Sequence, residues 1–202
     1  MPLWLPLLLF LARPLHDTVV QVSFTFPGLL TSPGGDTVYY NPARPLQLAD
    51  FTASPHYHGH SGAISFTSFA YDGSSHLRHD TLQLHLFLQV FFVKSASWVL
   101  PEMAKASTLA HEQLHFDLTY LVAMRFRQKI LALHLPADDY DSVIQYEYLE
   151  SFREMNRIQE RYDADTSSGA EGREQQAWAA QVKKWLEMAA GGLPIPALKS
   201  PV

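Results

Sequence analysis

Leu109-Ala110-His111-Glu112-Gln113-Leu114-His115-Phe116-Asp117 gathers the side chains of this sequence best suited to chemistry. On a helix, residues four apart share a face, so His111 and His115 can aim two imidazoles at one ion. Glu112 follows the first histidine and reaches a water held by that ion. Its carboxylate can take the water's proton and pass it to a leaving group. His-Glu-x-x-His at this spacing points to a zinc-dependent hydrolase, in the first place a peptidase, with one zinc ion as cofactor and a peptide or protein as substrate. Two histidines leave such a site incomplete, because catalytic zinc takes three protein ligands and a water.

The elements that must position these residues fall into two halves. In the first half, Val19 to Phe26 alternates apolar and polar residues, as a half-buried strand does. Thr37 to Tyr40 and Ala63 to Phe69 read as shorter strands, and Leu46 to Phe51 as a compact segment after two prolines. The clearest strand is Thr81 to Val93, with Leu82, Leu84, Leu86, Leu88, Val90 and Phe92 on one face. Its other face turns apolar towards Phe91 and Val93, which suits a central strand covered on both sides. The second half reads as three helices. Ser107 is a reasonable N-cap for the motif helix, which runs to about His134 before Leu135-Pro136. At about 100° per residue, His111, His115, Leu118 and Val122 form one stripe. Asp117 and Tyr120 lie opposite, so Asp117 is expected to hydrogen-bond a neighbouring element. A second helix starts near Asp138-Asp139 with Tyr140, Ile144, Tyr148, Phe152, Met155 and Tyr162 as its apolar stripe, and Tyr162 to Gly169 reads as its break. A third carries Trp178, Val182, Trp185 and Ala189 at core spacing. The expected fold is α+β: a small, mostly antiparallel sheet followed by three helices, zincin-like, with the motif on the first long helix.

Composition sets limits on function. The chain has 202 residues, 47% of them hydrophobic, which suits one domain with a sizeable core. A net charge of -5 and no basic run argue against nucleic acid as a partner. The absence of cysteine excludes disulfides, thiol catalysis and cysteine-ligated zinc. Met1 to Ala12 is apolar but shorter than the ~20 residues of a membrane span. It fits the hydrophobic part of a secretory signal, so the protein is expected to be secreted or periplasmic, with residues 1–15 as that segment, 16–190 as one domain and 191–202 as an extended tail. Oligomeric state is not readable. His56, His58 and His60 alternate in a stretch with glycine and serine neighbours, read as a solvated loop that could also cover a metal site or lend it a ligand.

Several segments together resemble a bacterial domain family of unknown function described as predicted secreted zinc-dependent proteases. Leu46-Gln47-Leu48-Ala49-Asp50-Phe51 is similar to that family's early Leu-x-x-x-Asp-Phe pattern, and Lys94-Ser95-Ala96-Ser97-Trp98-Val99 to its Lys-Ser-x-Ser-Trp-Val. Leu109 to Asp117 matches its centre, and Tyr162 to Gly169 with Gln175 to Trp178 resembles its later Tyr-Asp-x-(Glu or Asp)-Thr-x-His-Gly and Gln-x-x-Trp. The resemblance implies a zincin-like peptidase with His111 and His115 on zinc and Glu112 as general base. Two positions depart from the pattern: Tyr120 stands where the family carries Glu, and Ser168 where it carries His. The family histidine is the natural third ligand, and a serine hydroxyl binds zinc poorly. Asp165 is the expected replacement, with Asp163 or one of the loop histidines His56, His58 and His60 as alternatives. The competing expectation is a non-catalytic binding or structural domain that keeps the helix for packing, with a degraded or structural metal site.

Overall fold

The strongest alternation in the sequence becomes the centre of the sheet. The computed structural model describes residues 18–26, 35–55, 61–170 and 172–201. Its strands are β1 (Val19–Thr25), β2 (Thr37–Tyr39), β3 (Ala63–Ile64), β4 (Thr67–Arg78), β5 (Thr81–Val93) and β6 (Trp98–Val99). Its helices are α1 (Ala106–Ala132), α2 (Tyr140–Thr166) and α3 (Gly172–Ala190). β4 pairs antiparallel with the whole of β5, from Thr67 opposite Phe92 to Arg78 opposite Thr81. Along the other edge of β5, β1 runs parallel beside Thr81 to Phe87, and β2 runs antiparallel beside Phe91 to Val93. The fold is therefore α+β with a mixed sheet. The parallel β1 was not foreseen, because alternation assigns a strand its faces but not its direction.

The segment read as one strand over Ala63 to Phe69 is divided. β3 pairs with β6 in a separate two-stranded ribbon, and β4 starts afresh at Thr67. Ser97 holds the junction: its hydroxyl donates to the Val93 carbonyl at 2.6 Å and accepts the Phe66 N–H at 2.8 Å.

The even-numbered residues of β5 from Leu82 to Phe92 are all buried, on the face that meets the helices. α1 lies against that face, with Phe92 on Phe116 and Phe24 and Phe69 on Phe126, ring centres 6.2–6.4 Å apart. The far side of α1 is covered in turn by α2 and α3, so the helix is buried nearly all round. Each fully buried apolar side chain contributes on the order of 1.5–3 kcal/mol; Leu118, Leu121, Val122 and Phe126 supply this around the motif helix. α1 begins at Ala106, with Lys105 rather than Ser107 at the N-cap. It is tied to the strand half at Gln113, whose Oε1 accepts the Leu46 N–H at 2.7 Å, and at Asp117, which accepts the Tyr40 hydroxyl at 2.9 Å. Asp117 thus bonds a neighbouring element, as its position on the helix implied.

α2 runs on to Thr166, into the Tyr162 to Gly169 segment read as its break. Tyr162 is fully buried there and Asp163 is held from across the helix pair, so tertiary contacts override the weak helix propensity of Asp163 to Thr166. The helix then stops abruptly, with Ser167, Ser168 and Gly169 all at positive φ (47°, 52° and 86°). The tail returns to α1, where Gln128 and Arg125 bond Leu193 and Ile195. The apolar N-terminal segment and the loop carrying His56, His58 and His60 lie outside the described residues. Among the described residues, no helix is long and apolar enough to cross a membrane.

Candidate metal centre

His111 and His115 sit one helical turn apart on α1 and are 4% and 8% exposed. Their rings are nearly perpendicular, with centres 4.9 Å apart. Tyr162 of α2 stacks on His111 at 4.6 Å and meets His115 edge-on at 4.8 Å, forming a floor beneath both imidazoles. Trp178 of α3 backs Tyr162 at 5.3 Å. The rings are therefore fixed by packing from three helices.

Each imidazole presents Nδ1 to a glutamine and Nε2 to the cavity. His111 Nδ1 lies 2.9 Å from Gln175 Oε1, and His115 Nδ1 is bonded to Gln159 Oε1. With each amide oxygen turned to its ring, Nδ1 carries the proton of the neutral imidazole and Nε2 offers a lone pair; a ring protonated at Nε2 as well donates instead to Asp163 Oδ1. The two Nε2 atoms are 3.2 Å apart, and each is 3.1 Å from Asp163 Oδ1. Three donor atoms thus form a nearly equilateral triangle. Zinc bonds of about 2.0–2.1 Å at tetrahedral angles require donor separations of about 3.3–3.4 Å. The triangle lies within about 0.2 Å of that, so the residues fit a zinc ion with a fourth position open towards the cavity. Lone pairs at this spacing repel unless a metal ion or an Nε2 proton lies among them, so the cluster can hold a cation.

The ionisation of these groups follows the same geometry. Burial works against charge on His115, but its hydrogen bond to Asp163 and the nearby Glu112 carboxylate hold its pKa above the ordinary imidazole value. Burial raises the Asp163 carboxyl, and the bonds to both imidazoles outweigh this and keep it well below the usual carboxylate range. Asp163 is therefore an anionic donor at neutral pH.

The structure brings together His111, His115 and Asp163, and leaves Asp165 elsewhere. Because α2 stays helical, Asp163 follows Gln159 by one turn and faces α1. Asp165 is two residues further on, about 200° round the helix. It accepts the Trp178 Nε1–H at 3.2 Å and the Ser200 hydroxyl at 2.6 Å, so its carboxylate serves packing, not the triangle. The third donor is corrected from Asp165 to Asp163. Ser168 lines the cavity beside the cluster, but its exposed side chain is not one of the three donors. Gly169 explains why the turn can come so close: a Cβ there would lie 3.1 Å from His111 Cγ and Nδ1.

Glu112 is 4% exposed and lines the same cavity of about 800 Å3 as the triangle. Among the described residues, no hydrogen bond engages its carboxylate. One wall of the cavity is Ser61 to Thr67, including β3, and the other is α2 with the turn after it. Among the described residues, β3 pairs with β6 on one edge only: the Leu100 N–H reaches the Gly62 carbonyl, so the backbone groups of Ala63 point away from β6. Gln159 and Gln175 were missed from sequence, as an amide carries no signature of its own. The Gln159–Asp163 spacing of one helical turn was the available signal. No family model matches the chain, and no curated protein and no solved structure is similar to it.

Proposed function

We propose that the protein is a zinc-dependent peptidase of zincin-like architecture, working on an extended peptide or protein substrate. The observation that carries this reading is the triangle of His111 Nε2, His115 Nε2 and Asp163 Oδ1, edges 3.1–3.2 Å, opening into a cavity that Glu112 also lines. Two neutral imidazoles and one carboxylate are a donor set that suits zinc and leaves a divalent ion with net positive charge. Zinc held there supplies a Lewis acid that acidifies a water and polarises a scissile carbonyl. Among the described residues, Glu112 is the one carboxylate on the cavity wall outside the donor set. It accepts the proton of the attacking water and returns it to the departing amine. The free edge of β3 holds the substrate by main-chain pairing. The motif order around Asp50-Phe51, Ser97-Trp98 and Leu109 to Asp117, which resembles the secreted protease family, supports the same assignment.

Metal analysis tests the reading. The purified protein should carry close to one zinc per chain, and His111→Ala should lose it. Chelation should abolish hydrolysis of casein, and added zinc should restore it. Full zinc occupancy in His111→Ala would contradict the assignment.

A further inference from the structure

Behind His115, the buried Thr67 and Thr119 and the half-buried Gln159 form one hydrogen-bonded chain whose protons follow from the bond that Thr119 makes to the main chain. Thr119 lies one turn after His115 on α1, is fully buried, and donates its hydroxyl to the His115 carbonyl at 3.0 Å. A hydroxyl has a single proton. With that proton committed, Thr119 Oγ1 is an acceptor towards Thr67 Oγ1, 2.8 Å away, so the Thr67 proton fills that contact. Both hydroxyls then offer only lone pairs to Gln159. The Gln159 Nε2 lies 2.9 Å from Thr119 Oγ1, 3.2 Å from Thr67 Oγ1 and 3.4 Å from the His115 carbonyl oxygen. All three neighbours accept, so the NH2 group must face them and Oε1 must face His115 Nδ1. Turned over, the amide would set its oxygen against three lone pairs.

We propose that Thr67, Thr119 and Gln159 are positioning residues that lock His115 in the Nδ1–H tautomer, so that its Nε2 lone pair is always directed at the metal position. The functional meaning rests on reading His115 as a zinc ligand; the tautomer itself does not. The lock joins three elements, with Thr67 opening β4, Thr119 on α1 and Gln159 on α2. Being neutral, it orients the imidazole without adding charge to the centre. His111 has no equal. The Tyr162 hydroxyl behind Gln175 reaches both Gln175 Oε1 at 2.8 Å and the His111 carbonyl at 3.3 Å, so its proton has two destinations and does not dictate the amide's orientation.

Nitrogen-15 NMR of the zinc-free protein, at a pH where the imidazole is neutral, tests the lock directly. His115 should show a protonated Nδ1 and an unprotonated Nε2. Thr119→Val and Gln159→Leu should lose that uniform signature and bind zinc about 10–100-fold more weakly. Gln159→Glu offers only oxygens to Nδ1–H and should keep the signature, with the Thr67 and Thr119 hydroxyls turned to donate to the new carboxylate, whereas Gln159→Leu, of similar size, should lose it, a difference that a purely packing role would not give. A protonated Nε2 in the unmodified protein would overturn the proposal. So would unchanged ring-nitrogen signals and zinc affinity in both Thr119→Val and Gln159→Leu. If the unmodified protein binds no zinc, the metal reading fails by itself, while the ring-nitrogen signals still decide the tautomer.

Discussion

Asp163 and Asp165 stand two residues apart on α2, and their substitution should separate metal binding from packing. A ligand present at 100 times its Kd stabilises a protein by about 2.7 kcal/mol. For a chain of this length each kcal/mol moves Tm by about 2–4 °C. Zinc at that excess should therefore raise Tm by about 5–11 °C. Asp163→Ala removes one corner of the donor triangle and should reduce this rise to near zero. Its zinc-free Tm should change little, because the Asp163 side chain is 45% exposed and its ion pairs are screened. Asp165→Ala should do the reverse. It leaves the Nε1–H of the fully buried Trp178 without its acceptor, which costs about 1–3 kcal/mol and lowers Tm by about 2–12 °C. The zinc-induced rise should survive intact. Differential scanning calorimetry of the chelated and zinc-loaded forms of both variants reads all four values. An undiminished zinc response in Asp163→Ala, or a lost one in Asp165→Ala, would refute the placement of these carboxylates.

Two further outcomes follow from the same contacts. Gly169→Ala puts a side chain at a φ of 86° and a Cβ 3.1 Å from His111. The left-handed conformation alone costs about 1–2 kcal/mol, and the displaced imidazole should also weaken zinc; a zinc titration matching the parent would show that the turn does not press on His111. Asp50 tests pH dependence away from the metal. Burial raises its carboxyl, but the Arg44 fork at 2.7–2.8 Å and the Gln47 N–H hold it below the ordinary value. A depressed carboxylate contributes stability that is complete above its unfolded pKa of about 3.9 and is lost as pH falls through the folded value. Asp50→Asn should thus be less stable than the parent at neutral pH in urea denaturation, and the gap should narrow below about pH 4. A gap that persists in acid would mean that the ion pair does not set it.

The parts legible in the sequence were those fixed by local pattern. The alternation over Thr81 to Val93 marked the strand from end to end. The four-residue spacing of His111 and His115 marked a shared helix face, and the position of Asp117 marked it as a bond to another element. What stayed hidden depended on distant partners. The parallel direction of β1 is set by its neighbour, not by its own alternation. Asp163 was obscured because Tyr162 to Gly169 reads as a helix break, while the buried Tyr162 and the histidines across the interface keep its first turn, to Thr166, wound. One extra turn of helix moved the third donor from Asp165 to Asp163. The glutamines behind the imidazoles were hidden for a related reason: Gln159 and Gln175 gain their roles only when α2 and α3 are packed on α1.

The central claim is that Glu112 works on a water at the His111–His115–Asp163 centre. Its most direct test is casein hydrolysis by the parent and by Glu112→Gln, both verified to hold one zinc per chain. The account predicts hydrolysis by the parent and a loss of at least about 100-fold in the variant, the scale of a general base. Equal hydrolysis by the two, or none by the zinc-loaded parent on casein or a peptide library, would contradict it.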